Sequence, residues 1–156
     1  MIKVLFVCLG NLCRSPMAEA IFRDMVKKQG LENKIAIDSA GIGHWHIGEL
    51  PHEGTRKQLD QVSISYEGIT ARKIVEEDWD NFNYIIAMDE NNMEDLRIIR
   101  EADDKMVVAK MMDFVKDAEE TNIPDPYFSN NFNHVFQLIE QGCKGLLERI
   151  KLSHQL

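Results

Sequence analysis

The stretch Ile2-Lys3-Val4-Leu5-Phe6-Val7-Cys8-Leu9-Gly10-Asn11-Leu12-Cys13-Arg14-Ser15-Pro16 decides the reading of this chain. Its first seven residues are almost continuously apolar and rich in β-branched side chains, the pattern of a strand buried on both faces of a parallel sheet. A loop carrying Gly10 follows. Pro16 then marks a helix start, because its fixed φ and missing N–H suit a first helical position. The spacing predicts a helix to about Gln29, with Gly30 as its stop. The segment therefore reads strand, loop, helix, with Cys8 at the end of the strand.

Outward from this segment, strands and helices alternate. Lys34–Asp38 predicts a second strand, and Ser39–Pro51, with Gly41, Gly43, Gly48 and Pro51, a surface loop. A helix is expected around Glu53–Gln61. Tyr84–Met88 is a third buried strand, closed by Asp89 as the N-cap of a helix to Arg100. Met106–Ala109 is a weaker fourth strand, and Thr121–Asn131, with Pro124 and Pro126, a loop. Phe132, Val135, Phe136, Ile139, Cys143, Leu146, Leu147 and Ile150 keep helical three-four spacing to the end. This order implies an α/β fold with a parallel sheet and right-handed crossovers. Ligands in such sheets bind at the carboxyl ends of strands, which is where Cys8 lies.

Composition narrows the function. The 156 residues, 44% hydrophobic, suit one compact domain over 1–156. A net charge of −8 argues against nucleic-acid partners, which need a basic face. It leaves room for a phosphate-bearing substrate, because backbone N–H groups can bind an anion locally. The apolar run Val4–Leu9 is too short for a secretory signal, and Asn11 and Arg14 stand between it and the A-x-A pattern at Ala18-Glu19-Ala20. No stretch has the length of a membrane span. Three cysteines is an odd count, unsuited to a disulfide framework, and predicts a reducing cytoplasm. The oligomeric state is left open, with a monomer compatible with this composition.

The loop Cys8–Ser15 holds the parts of a phosphate-ester chemistry. A strand delivers a thiol to a short loop, and the N–H groups of Leu9, Gly10, Asn11, Leu12, Cys13, Arg14 and Ser15 are available to a dianion at a helix N-terminus. Gly10 permits backbone shapes that other residues resist. Arg14 offers a planar fork of donors for two phosphate oxygens. The same helix end and cation favour a thiolate, the nucleophilic form of cysteine. Ser15 can donate a hydrogen bond to it. Such an arrangement supports attack through a cysteinyl-phosphate, with no metal or cofactor. The G-x-x-x-x-G-K-[ST] spacing of nucleotide-binding loops is absent, and so is C-x-x-C redox spacing, since four residues separate Cys8 from Cys13.

The run Val7-Cys8-Leu9-Gly10-Asn11-Leu12-Cys13-Arg14-Ser15-Pro16-Met17-Ala18-Glu19 strongly resembles the low-molecular-weight protein tyrosine phosphatase family. Asp38-Ser39-Ala40-Gly41, Trp45 with Gly48, Ala87-Met88-Asp89 and Pro124-Asp125-Pro126-Tyr127 match in family order. The resemblance implies a four-stranded parallel sheet with helices on both faces and the phosphate loop after the first strand. It also implies phosphotyrosine proteins as substrates and inorganic phosphate as product.

It further assigns roles. Asp125 would be the general acid for the departing phenolate and then the base for water, a service that accelerates roughly 10²–10⁴-fold when well positioned. Ser39 would hydrogen-bond Asn11 to hold the phosphate loop. Leu12, Trp45, His46 and Tyr127 would wall the substrate pocket. Cys13 would be a redox partner, forming a reversible disulfide with Cys8. Asp89 reads as a helix-start residue rather than a catalyst. His44 and His46 lack a third clustered ligand and read as polar loop residues, so no metal is expected.

Three other functions fit less well. A related branch acts on phosphoarginine but carries threonine where Leu12 stands here, and an apolar side chain offers guanidinium no polar partner. Arsenate reduction on a similar fold needs further cysteines in a mobile segment, and none lies between Cys13 and Cys143. A non-catalytic phosphopeptide binder would have no need of Cys8 and Asp125 together. The resemblance is imperfect at Phe128, where many relatives have a second tyrosine, and at His46, where some have asparagine.

Overall fold

A computed structural model describes residues 1–156. Four parallel strands form one sheet in the order β2-β1-β3-β4, with β1 Ile2–Cys8, β2 Ile35–Gly41, β3 Tyr84–Ala87 and β4 Val107–Lys110. The helices are α1 Arg14–Lys28, α2 Glu53–Gln61, α3 Asp78–Asn81, α4 Glu90–Ile99, α5 Pro126–Ser129 and α6 Phe132–His154, with a 3-10 turn at Met111–Phe114.

Side chains of a strand point alternately to opposite faces, and both faces here are buried. Val4, Phe6 and Cys8 of β1, with Tyr84 and Ile86 of β3, join a core with α1 and α6. Leu5 and Val7, with Ile85 and Ala87, join a second core with Trp79, Met93 and Leu96 of α3 and α4. That two-sided burial explains the unbroken apolar sequence of β1 and β3. Helices thus cover both faces of the sheet.

Three local differences from the sequence reading have physical causes. The helix α1 begins at Arg14, two residues before Pro16. Pro16 is still in the first turn, where the missing N–H has no intrahelical partner to lose. The helix ends near Gly30, at φ +69°. Strand β2 runs on to Gly41, because Ser39, Ala40 and Gly41 pair with Phe6, Val7 and Cys8. The loop expected from Ser39 therefore begins three residues later. Within the expected loop Thr121–Asn131, Asp125 and Pro126 start the short helix α5.

The strand order positions the site. The chain leaves β1 for β2 on one side, then crosses back to β3 on the other. Neighbouring connections diverge above the carboxyl ends of β1 and β3, and such a switch point opens a crevice. Cys8 stands at the end of β1, and Asp89 two residues beyond β3.

Candidate active site

The phosphate loop is wrapped between buried supports. Cys8, Asn11, Cys13, Arg14 and Ser15 are all buried. Leu9 carbonyl accepts from Gly43 N at 2.8 Å, Leu12 carbonyl from His52 N at 2.8 Å, and Cys13 carbonyl from Thr55 Oγ1 at 3.0 Å. Asn11 adopts φ +53°, a left-handed conformation that asparagine tolerates better than most residues. Gly41 lies against its underside: a Cβ there would come within 2.9 Å of Gly10 C and 3.0 Å of Asn11 N.

A hydrogen-bond chain ends on the thiol, and its direction follows from one backbone donor. Arg72 N–H donates to Asn11 Oδ1 at 2.9 Å. A backbone N–H can only donate, so Oδ1 faces it and Nδ2 faces the opposite way. Nδ2 then donates to Ser15 Oγ at 2.7 Å and to Ser39 Oγ at 3.0 Å. With its oxygen already accepting, Ser15 has its own hydrogen for Cys8 Sγ, 3.0 Å away. Ser39 sends its hydrogen to Glu19 Oε1 at 2.6 Å. Burial pushes the Glu19 carboxyl up to about 7, with Asp38 adding to the rise and Ser39, Arg23 and Arg72 opposing it.

Arg14 is the charge at the centre. Its NH1 donates to Asp89 Oδ2 at 2.6 Å and to the Ile123 carbonyl at 2.8 Å. NH2 reaches Asp125 Oδ2 only at 3.5 Å, the outer limit of a hydrogen bond, and Nε has no protein partner. Burial alone would lower the Arg14 pKa, but Cys8, Asp89 and Asp125 outweigh it and the guanidinium is held charged. Ile123 N donates to Met88 carbonyl at 2.9 Å, which ties the Asp125 segment to the end of β3.

Asp125 is the N-cap of α5. Its Oδ1 accepts from Tyr127 N at 3.0 Å, leaving Oδ2 turned toward Arg14. The side chain is 24% exposed, so it meets both the cleft and solvent. Burial, the neighbouring Cys8 and Asp125 push the Cys13 thiol up to about 12, against the opposing pull of Arg14. Cys13 is therefore a neutral thiol at physiological pH.

These groups open into a cleft of about 180 Å³, lined by Cys8, Leu9, Gly10, Leu12, Cys13, Arg14, Trp45, His46, Asp125, Tyr127 and Phe128. Trp45 is 61% exposed and lies over Gly43, where a Cβ would collide with its ring at 1.9 Å. His46 lies over Gly10 and pairs with Glu49 at 2.5 Å. The expected site residues Cys8, Arg14, Asp125, Leu12, Trp45, His46 and Tyr127 thus share one cleft, with Ser39 and Asn11 beneath it.

Four participants escaped the sequence reading. Asp89 caps α4 through Asn92 N, as expected, but its other oxygen is the ion-pair partner of Arg14. Its place after a buried strand was a usable signal once the order of strands is known. Glu19 is the single ionisable residue in the otherwise apolar run Pro16–Phe22, and it is buried. Phe128 lines the cleft beside Tyr127. Arg72, held by Asp38 at 3.1 Å and by buried Asp78 at 3.1 Å, carries no local sequence signal.

The family model described as low molecular weight phosphotyrosine protein phosphatase matches residues 3–156. The low-molecular-weight protein-tyrosine-phosphatase YfkJ of Bacillus subtilis is 53% identical over 156 residues, 100% of each chain. PtpA of Staphylococcus epidermidis, of the same description, is 43% identical over 150 residues, 96% of this chain and 94% of that one. The crystal structure of YfkJ superposes with a TM-score of 0.95 at 52% identity, covering 98% of this chain and 96% of that one. A Drosophila arginine phosphatase superposes with a TM-score of 0.88 at 32% identity, covering 96% and 98%. Fold alone therefore does not separate tyrosine from arginine substrates. The full-length match in sequence, family model and structure leads to one conclusion: this chain belongs to the low-molecular-weight phosphotyrosine protein phosphatase family.

Proposed function

We propose that this chain is a protein tyrosine phosphatase that works through a cysteinyl-phosphate on Cys8. The observation that carries the reading is the convergence of Cys8, Arg14 and Asp125 on one cleft at the switch point of the sheet.

The phosphate enters with its oxygens on the loop N–H groups and on Arg14, at Nε and at NH2, whose one contact is the 3.5 Å approach to Asp125. Cys8 thiolate attacks phosphorus. The S–P bond forms as the bond to the tyrosyl oxygen breaks, and the departing oxygen takes a proton from Asp125 Oδ2. Asp125, now a carboxylate, takes a proton from water as the water oxygen attacks phosphorus. The S–P bond breaks, inorganic phosphate leaves, and Cys8 is again a thiolate that accepts the Ser15 hydrogen.

Two features favour an aryl phosphate. Leu12, Trp45 and Tyr127 give the cleft apolar walls, and Leu12 supplies no partner for a guanidinium. Peptides carrying phosphotyrosine, phosphoserine or phosphoarginine test this directly. Phosphotyrosine is expected to turn over fastest, with activity lost in Cys8→Ser; faster phosphoarginine turnover overturns the substrate assignment.

Cys13 supports a protective role. If peroxide oxidises Cys8 to a sulfenic acid, attack by the Cys13 sulfur forms a disulfide and releases water. Inactivation by mild peroxide is then reversed by thiols, and less so in Cys13→Ser. The three cysteines are all free, which supports residence in a reducing cytoplasm. No helix is long and apolar enough to cross a membrane.

A further inference from the structure

Asp125 is oriented by Tyr127 N–H, but that contact is internal to its own four-residue helix. It turns the carboxylate without fixing where the helix stands relative to Cys8. On its N-terminal side the helix is set in place by the segment Asn122–Pro124. Asn122 Oδ1 accepts from the backbone N–H of Glu90 at 2.9 Å and from Lys110 Nζ at 3.2 Å. Both partners can only donate, so the oxygen is the atom that faces them.

The three tied points belong to different parts of the fold. Glu90 opens α4, directly after the Asp89 that pairs with Arg14. Lys110 ends β4; its side chain is 15% exposed, and its ammonium also stands 3.7 Å from the Glu90 carboxylate. Asn122 therefore fastens the acid's segment to the helix start that holds the phosphate-binding arginine. The next residue, Ile123, is fully buried, gives its N–H to Met88 carbonyl and takes Arg14 NH1 on its own carbonyl. Ile123 alone would be a pivot. With Asn122 held beside it, the direction in which the chain leaves is fixed as well. Pro124, whose ring sets its φ, carries that direction on to Asp125.

Granted Asp125 as the general acid, on which this inference rests, we propose that Asn122, gripped by Lys110 and the Glu90 backbone, is a positioning residue for the proton that Asp125 delivers. Its effect scales with how much the leaving group needs that proton. A phenolate as basic as tyrosine's, of pKa about 10, needs it. A nitrophenolate is a much weaker base and departs with less help.

The test measures kcat/KM, which reads transition-state stabilisation from free enzyme and substrate, for phenyl phosphate and para-nitrophenyl phosphate. Asn122→Ala is expected to lower it about three- to tenfold for phenyl phosphate, the value of one to two hydrogen bonds, with little change for the nitrophenyl ester. Asn122 is exposed, so its truncation leaves the core intact. Asn122→Asp keeps an acceptor for both donors and is expected to restore the rate, with Lys110→Met between. On an Asp125→Ala background, Asn122→Ala should cost nothing further, because the two residues act as one unit. Equal losses on both substrates, a loss that persists in full without Asp125, or unchanged kinetics in Asn122→Ala would overturn the inference while the phosphatase assignment stands. An Asp125→Ala variant with the same loss on both substrates would sink the general-acid assignment itself.

Discussion

The backbone N–H of Arg72 donates to Asn11 Oδ1 at 2.9 Å, and that contact sets the polarity of every hydrogen bond between Asn11 and Cys8. A residue outside the phosphate loop thereby turns the Ser15 hydroxyl toward the nucleophile. The Arg72 backbone is steadied in turn by its own side chain, which Asp38 and Asp78 hold.

Removing the last link isolates its value. A hydrogen bond to a charged group is worth about 1.5–3 kcal/mol. Ser15→Ala is therefore expected to lower kcat roughly 10- to 100-fold with a smaller change in KM. Steady-state kinetics with an aryl phosphate check this; an unchanged kcat excludes Ser15 from the chemistry.

Asp89 is expected to contribute to stability in two separable ways. Asp89→Asn keeps the cap on Asn92 N but removes the charge beside buried Arg14. Losing one partner of a buried pair costs about 3–5 kcal/mol, less where the replacement still accepts a hydrogen bond. Asp89→Ala loses the cap too, a further loss of about 1 kcal/mol. Urea midpoints should rank wild type, then Asn, then Ala. Equal stabilities for wild type and Asp89→Asn would contradict the pairing.

Glu19 predicts a pH dependence. Burial raises its folded-state pKa to about 7 from an ordinary 4.5, so the folded chain holds a proton that the unfolded chain releases between those values. This stabilising contribution is present below pH 4.5, is lost as pH rises to about 7, and stays lost above. Glu19→Gln keeps an acceptor for Ser39 and removes the titration. Its stability relative to wild type should rise from pH 5 to pH 8 by up to about 3 kcal/mol. Parallel curves for the two proteins would show that Glu19 does not titrate in this range.

Gly41→Ala tests the close approach beneath the loop. The added methyl would press on Gly10 C and Asn11 N, which are backbone atoms. Overpacking of this kind costs about 1–3 kcal/mol and is expected to displace the phosphate loop. A fall in kcat/KM of at least about tenfold, beyond the stability loss, is the expected result; unaltered kinetics would mean that the loop tolerates displacement.

Much of this architecture was legible in the chain. Ile2–Cys8 and Tyr84–Met88 read as buried strands because residues on both faces are apolar, and α6 because its apolar stripe is unbroken. The end of β2 was not legible: Ser39, Ala40 and Gly41 look like a turn, and they are strand because β1 pairs with them. The four-residue helix α3 is too short for periodicity to register. Cys8, Arg14 and Ser15 sit within one local pattern, so they could be read together. Asp89, Arg72 and Glu19 belong to the site only through strand order and side-chain direction, which no local pattern encodes.

The covalent intermediate is the central claim, and trapping it is the most direct measurement. Asp125→Ala is mixed with an aryl phosphate that has a good leaving group, quenched in acid, digested and mapped by mass spectrometry. One phosphoryl group is expected on the peptide containing Cys8, with none in the Cys8→Ser, Asp125→Ala double variant. A phosphoryl group on any other residue, or turnover that survives Cys8→Ser, would contradict the account.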